Sequence, residues 1–244
     1  MAIDTSQPFT RREALAAGIP VDQLAGPRYH KLFHGLYLAA SVKITVAERA
    51  KAALKISPVG SFVSHHTAVS LWGGWTPDTP DTHISVPHDL PRSRRQGIRL
   101  HRASSPVPPI TYRGLLVSPP MQTFLEMAAA GSSLVDLVVL GDSLVKAKRF
   151  TPPELEETVA SWVGAGGALA RRAAHLVRDG VDSPTESRLR MLIVLAGLPE
   201  PEVNVIIRLA GGEWARRFDL SYPHLKLIIE YDGRQHAEDS QQWS

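Results

Sequence analysis

Three carboxylates that lie close together in the sequence are the residues best suited to chemistry. Asp219, Glu230 and Asp232 fall within a short segment near the carboxyl end. A carboxylate beside a buried strand is costly unless something neutralises it. Mg²⁺ is a hard ion that prefers oxygen ligands, and it can activate water and stabilise the charge that develops at a phosphate. These residue types therefore indicate metal-assisted chemistry on a phosphate ester.

A predicted β-hairpin positions these acids. The run from Lys226 to Asp232 has an apolar centre between turn-forming residues, which predicts a central strand, and Arg217 to Ser221 would be its antiparallel partner. Because side chains alternate between the two faces of a strand, the position of each acid in the sequence determines the face from which it projects. Asp219 and Glu230 would share one face of the hairpin.

Four short pieces of this region resemble a known family. They are Ser183-Pro184-Thr185-Glu186, Phe218-Asp219-Leu220, Ile229-Glu230-Tyr231-Asp232-Gly233 and Gln235-His236. On these pieces the segment resembles the restriction-endonuclease-like superfamily, whose motif is PD-(D/E)xK, and within it the bacterial domains of unknown function related to very-short-patch mismatch-repair endonucleases.

The resemblance implies a cofactor and a set of site residues. Asp219 and Glu230 would hold Mg²⁺ or Mn²⁺, and Glu186 would support them. His236 would transfer a proton near the leaving oxygen. The implied reaction is hydrolysis of a DNA phosphodiester.

Two departures from the family pattern change what is expected. Asp232 occupies the lysine position of the motif. Either Asp232 becomes a ligand while Arg234, Gln235 or His236 supplies the missing function, or the site is altered. The superfamily core also continues into a helix and at least one further strand, whereas this sequence stops at Ser244. The expectation is a truncated nuclease domain with a partial αβββ core and an open sheet edge.

Each acid also has a structural explanation that stays open. Glu186 would complete a helix-capping box behind a proline at the first helical position. Asp232 with Gly233 would form a turn. Asp219 would pair with a neighbouring arginine, and Glu230 would be an edge-strand charge that discourages aggregation.

The amino-terminal residues 9–40 have the pattern of a small winged helix-turn-helix. Thr10-Arg11-Arg12-Glu13 is a capping box that opens a helix reaching Ala17. A second short helix would cover Val21 to Leu24, a third would begin at Pro27, and residues 33–38 would make a wing strand.

This pattern resembles the winged-helix domain of AbiEi-type antitoxins, which binds operator DNA in that family. The cations of the segment would neutralise phosphates while its tyrosine faces a groove. The expected DNA-binding residues are Arg11, Arg12, Arg28, Tyr29 and Lys31. Short helices of this size can equally mediate protein contacts, and that alternative stays open.

The rest of the chain divides by composition into three further parts. Residues 41–150 resemble the mixed α/β middle domain of the same antitoxins, residues 151–182 would be a helical connector, and residues 183–244 the nuclease-like domain. Four histidines stand in the middle domain at positions 65, 66, 83 and 101. Their spacing matches no zinc motif, so structural histidines with satisfied hydrogen bonds are expected.

Composition excludes some classes of protein. The chain has 244 residues, 43% of them hydrophobic, which is enough for an α+β protein of more than one domain. It has no cysteine, which excludes disulfides and thiolate metal sites. No apolar run approaches the ~20 residues that span a bilayer, and the amino terminus lacks a charged leader with an apolar segment. A cytoplasmic protein without a membrane partner is expected.

Charge is distributed unevenly along the chain. Residues 1–120 carry 14 Lys and Arg against 7 Asp and Glu, whereas residues 121–244 carry 13 against 17. A basic half joined to an acidic half suggests that the first meets phosphate while the second carries acids for metal or structure. Ordinary surface charge is the alternative.

Two functions follow from these expectations. The first is a DNA-binding protein with a Mg²⁺-dependent endonuclease-like domain that acts on double-stranded DNA. The alternative is a non-enzymatic, antitoxin-like autorepressor that binds operator DNA and a partner toxin. A pure interaction scaffold is a third, and salt-dependent binding to duplex DNA would separate it from both. A homodimer that exchanges strands would complete the open sheet.

Overall fold

The computed structural model describes residues 3–87, 89, 95–103, 107–208 and 215–231, with the backbone alone at 207, 208, 215 and 216. The chain divides into two compact units, residues 1–131 and 132–244. The fold is α+β, as predicted, and the described residues form nine α-helices and three β-sheets. The finer division into four parts stays a prediction.

The first unit contains eight short strands and five helices in its described residues. The strands are β1 (Phe9–Thr10), β2 (Tyr29–Phe33), β3 (Leu36–Ala39), β4 (Phe62–Val63), β5 (Thr82–Val86), β6 (Ile98–Arg102), β7 (Ile110–Tyr112) and β8 (Leu115–Val117). The helices are α1 (Arg11–Ala16), α2 (Val21–Leu24), α3 (Val46–Lys55), α4 (His65–Trp72) and α5 (Pro120–Ala129).

The amino-terminal part folds around a small antiparallel sheet of order β1-β3-β2. The predicted capping box is confirmed, because the Glu13 amide donates to Thr10 Oγ1 at 3.1 Å and the Thr10 amide donates to Glu13 Oε2 at 2.7 Å. Phe9, Ala14 and Leu24 form the buried cluster that joins α1 and α2 to the sheet. Helices α1 and α2 lie where the sequence predicted them.

The predicted third helix at Pro27 is wrong. Residues Tyr29–Phe33 instead form β2, which pairs antiparallel with β3. The physical reason is the turn between the strands, where Gly35 has a φ of 71° that glycine adopts without steric cost. That turn commits the residues on both sides to a hairpin, which outweighs the helical tendency of a short segment.

A second sheet of five strands forms the rest of the first unit, in the order β6-β5-β4-β8-β7. Strands β5 and β6 run parallel, as do β4 and β8, whereas β4 is antiparallel to β5 and β7 to β8. Every residue of β5 is buried. Helix α4 begins directly after β4 and ends before Gly73, whose φ of 81° gives a left-handed termination that glycine adopts readily.

The second unit contains four helices followed by three strands in its described residues. The helices are α6 (Leu134–Lys146), α7 (Pro152–Ala160), α8 (Gly167–Ala174) and α9 (Pro184–Leu195). The strands are β9 (Glu202–Arg208), β10 (Ala215–Tyr222) and β11 (Leu227–Ile229), and a 3₁₀ turn spans Pro223–Leu225. The sheet is antiparallel with the order β11-β10-β9.

The predicted pairing of the hairpin is confirmed, but its predicted central strand is wrong. In the described sheet β10 is the middle strand and β11 lies at the edge, where Leu227 and Ile228 are exposed. Strand β11 is also shorter than predicted. It starts only after Lys226, whose φ of 52° closes the preceding 3₁₀ turn. Within the described part of the chain, no helix has the length and apolarity needed to cross a membrane.

Candidate active site

Glu186 is a buried carboxylate near the start of α9. Ser183 caps the helix, because its Oγ accepts a hydrogen bond from the Glu186 amide at 3.1 Å. The Glu186 side chain does not complete the predicted capping box. Its Oε2 accepts instead from the Asp182 amide at 2.9 Å, one residue before the cap, and the side chain is only 6% exposed. Burial raises the pKa of Glu186, and the negative charge of Asp219 raises it further.

Asp219 and Glu230 come together through the pairing of β10 with β11. Leu220 lies opposite Ile229, so continuing this register by one residue sets Asp219 opposite Glu230. Residues opposite each other on antiparallel strands project from the same face, which agrees with the predicted shared face. The Tyr231 amide donates to Asp219 Oδ2 at 3.3 Å, which holds the segment after β11 against Asp219.

Asn204 and Arg217 are site residues that the sequence did not indicate. Asn204 has a φ of 50° and interrupts the pairing of β9 with β10 opposite Asp219. Its Nδ2 lies 3.5 Å from Glu186 Oε2, and its Oδ1 accepts from Arg217 Nε at 2.9 Å. The Arg217 guanidinium also contacts the Asp182 carboxylate. Alternation along β10 indicates that Arg217 shares a face with Asp219. Asn204 lies on β9, the strand of the predicted αβββ core whose residues the sequence analysis did not assign.

The donors gathered here are suited to a hard cation. Glu186, Asp219 and Glu230 offer only oxygen atoms, which Mg²⁺ and Mn²⁺ prefer, and Mg²⁺ commonly uses one or two carboxylates with water and substrate phosphate. The repulsion between Glu186 and Asp219 is what a bound cation would relieve. Among the described residues, no three His, Asp or Glu side chains are arranged to hold a metal ion together. A site of two carboxylates fits these observations.

Two predicted site residues lie outside the described residues. These are Asp232 and His236, together with Arg234 and Gln235, which were considered as substitutes for the lysine of the motif. Their roles stay predictions.

A buried ionic network anchors α9 in the turn that follows Glu186. Arg190 is fully buried and donates to Asp142 Oδ2 at 2.9 Å and to Glu200 Oε1 at 2.7 Å. Asp142 also accepts from Ser187 Oγ at 2.7 Å and from the Arg178 amide at 2.8 Å. Because these contacts tie α9 to α6 and to the loop before β9, they fix the position from which Glu186 projects.

The predicted DNA-binding residues lie in the amino-terminal part of the first unit. Arg11, Arg12, Arg28 and Lys31 are exposed, as phosphate contacts require. Tyr29 differs, because it is partly buried and its ring packs edge-on against Phe9, with 5.4 Å between ring centroids. Tyr29 lies in β2, which explains this packing. Its groove-facing role was predicted for a helix that begins at Pro27, and the structure has a strand there instead.

Comparison with known proteins identifies two relatives by sequence. They are the uncharacterized proteins Rv2248 and MT2308 of Mycobacterium tuberculosis, strains H37Rv and CDC 1551, each 31% identical over 175 residues. The matched region is 68% of this chain and spans 60% of the length of each relative. No protein-family model matches the sequence.

A solved structure also resembles this chain. It is the crystal structure of the Rv2827c protein of Mycobacterium tuberculosis, with a TM-score of 0.46 and 14% sequence identity over 84% of this chain and 85% of the other. A likeness at that level carries no argument about function.

Proposed function

We propose that this chain is a cytoplasmic DNA-binding protein whose second unit carries a Mg²⁺-dependent, endonuclease-like site. Two observations carry the proposal: Asp219 of β10 is close enough to Glu186 of α9 to raise its pKa, and the register of β10 with β11 sets Asp219 opposite Glu230. Acids from a helix and two adjacent strands are the arrangement that the restriction-endonuclease resemblance implies.

Each site residue that the structure describes has a distinct part in this proposal. Asp219 and Glu230 hold the cation, which when bound would activate water and stabilise charge at the phosphate. Glu186 accepts a hydrogen bond from the Asp182 amide and adds a negative charge near Asp219. Arg217, on the same strand face as Asp219, brings a guanidinium that suits a phosphate oxygen.

Binding of double-stranded DNA is assigned to the amino-terminal part. Arg11, Arg12, Arg28 and Lys31 would neutralise phosphates, so affinity should fall as salt concentration rises. DNA binding by these residues does not depend on the acids in the second unit. The alternative function, an antitoxin-like autorepressor, requires it as well.

The test is cleavage of supercoiled plasmid with Mg²⁺ or Mn²⁺. We expect the wild type to nick the plasmid and the isosteric variants Asp219→Asn and Glu230→Gln to lose activity, by roughly a hundredfold or more if the carboxylate holds the cation. Glu202→Gln is the matched control, because Glu202 is an exposed acid in β9 of the same sheet. Circular dichroism establishes that each variant is folded.

Two outcomes would contradict the nuclease proposal. Cleavage that persists in Asp219→Asn would place the activity elsewhere or in a contaminant. Salt-dependent DNA binding with no cleavage by the wild type would instead favour the autorepressor, and co-purification of a toxin partner would then be the next measurement.

A further inference from the structure

Four histidines that are scattered in the sequence line one cleft of the first unit. The cleft has a volume of about 420 Å³, and its walls include His65, His66, His83, His101, Arg99 and Asp81. His65 and His66 open α4, His83 lies on β5, and Arg99 and His101 lie on β6. The parallel pairing of His83 with Arg99 and of Ser85 with His101 brings the two strands' side chains to the same place.

The imidazole rings are in direct contact. His83 Nδ1 lies 3.0 Å from His101 Nε2, so one ring donates to the other. The ring of His65 stacks on that of His101 with 3.5 Å between centroids, and His66 lies 4.6 Å from His83 by the same measure. The His65 backbone has a φ of 50°, unusual outside glycine, so the fold holds this residue in a strained position.

Two ring nitrogens in this cleft lack a hydrogen-bond partner among the described residues. They are His66 Nδ1 and His83 Nε2, both inaccessible to solvent, and His83 is only 5% exposed. The expectation of fully satisfied structural histidines is therefore wrong for these two rings. A buried polar atom without a partner is unfavourable, and a small rotation of the ring toward the cleft would let a ligand atom supply the missing contact.

Arg99 brings a positive charge to the cleft beside neutral imidazole rings. Burial lowers the pKa of His65, His66 and His83, and the positive charge of Arg99 lowers each further. The rings are therefore neutral, so each carries one N–H, and His83 Nε2 is a donor when His101 Nε2 donates to His83 Nδ1. Behind His65, Glu126 is engaged by the His65 amide at 3.1 Å and by Ser118 Oγ at 2.8 Å. Asp81 is the acid that lines the cleft itself.

A metal ion fits the cleft less well. Imidazole is a common metal ligand, but in the part of the chain that the structure describes no three His, Asp or Glu side chains converge on one point. An arginine at the same site would also repel a cation. A guanidinium fork beside several N–H donors is instead the pattern that recognises phosphate.

We propose that this cleft binds a small molecule that carries a phosphate monoester. Arg99 and the ring N–H groups of His66 and His83 would bind the phosphate oxygens, and Asp81 would accept from a hydroxyl group elsewhere on the ligand. The cleft volume is within the range of small-molecule sites. The site is in the first unit and does not depend on the acids assigned to DNA cleavage.

Titration of the full chain with inorganic phosphate, followed by calorimetry, tests this site. We expect the wild type to bind, and Arg99→Gln to bind about tenfold more weakly, as loss of a charged hydrogen-bond donor implies. Arg102→Gln is the matched control, because Arg102 is exposed on the same strand and does not line the cleft. His83→Asn should also weaken binding, and a thermal melt shows whether that buried variant is folded.

Three results would exclude a phosphate site in the cleft. They are absence of phosphate binding by the folded wild type, equal weakening in Arg99→Gln and Arg102→Gln, and binding of Zn²⁺ or Ni²⁺ that is lost in His83→Asn while phosphate does not bind. A duplex without terminal phosphates distinguishes the source of the phosphate. If it displaces inorganic phosphate, the cleft recognises the DNA backbone and the small-molecule assignment is wrong.

Discussion

The buried histidines of the first unit should make its stability depend on pH. Burial lowers the pKa of His65 to about 2 and of His83 to about 3, whereas an unperturbed histidine has a pKa of 6.5. In the folded state both rings stay neutral, while in the unfolded state they take up protons below pH 6.5. Their contribution to stability is therefore complete above that pH and is lost as the pH falls.

The magnitude follows from these values. Between about pH 7 and about pH 5, each of the two rings should lower the free energy of unfolding by about 2 kcal/mol. Glu126 acts in the opposite direction, because burial raises its pKa to about 7 from 4.5, and its protonation in the folded state should return about 2 kcal/mol over the same range. The net loss expected from these three groups is about 2 kcal/mol, and His66, whose pKa burial also lowers, acts in the same direction as the other two histidines.

Hydrogen exchange across a urea series would measure this loss in the first unit separately from the second. We expect His83→Asn to remove about 2 kcal/mol of the pH dependence. Glu126→Gln should increase the loss on acidification, since the offset disappears. His30→Asn, at an exposed position of β2, is the matched control and should behave as the wild type does. Identical pH dependence in the wild type and His83→Asn would refute the reasoning.

Three further predictions concern the second unit and the DNA-binding residues. Asp142→Asn removes one of the two carboxylates that contact the fully buried Arg190 guanidinium and leaves Glu200 as its charged partner, so we expect a loss of about 3 kcal/mol in urea denaturation. Glu186→Gln removes the repulsion with Asp219, so its melting temperature near neutral pH should exceed that of the wild type while plasmid cleavage falls. Lys31→Ala should reduce the slope of log affinity for duplex DNA against log salt concentration by about 1.

Local signals in the sequence were sufficient for the elements that depend on neighbouring residues. The capping box at Thr10 and Glu13 involves contacts within three residues, and the structure confirms it. The helix predicted at Pro27 failed because β2 is defined by its pairing with β3, which a short segment does not reveal by itself.

The candidate sites were predictable only in part, for the same reason. Side chains alternate along a strand, so the common face of Asp219 and Glu230 could be predicted from the sequence. Asn204 reaches the site from β9, and no sequence pattern linked it to Glu186. The histidine cleft depends on the parallel register of β5 and β6, in which His83 lies opposite Arg99. The spacing of the histidines in the sequence does not predict that register.

Helix α9 shows how a structural acid differs from a candidate functional one. Its buried Arg190 contacts Asp142 and Glu200, and Asp142 accepts two further hydrogen bonds, which oppose the rise in the pKa of Asp142 that burial causes. Glu186 lies one turn earlier on the same helix, and Arg190 is engaged elsewhere. Its pKa is raised by burial and by Asp219, against which the positive charge of Lys146 acts more weakly. Among the described residues of this unit, Glu186 and Asp219 therefore place like charges near the start of α9, and a cation bound there would stabilise the fold as well as serve the chemistry.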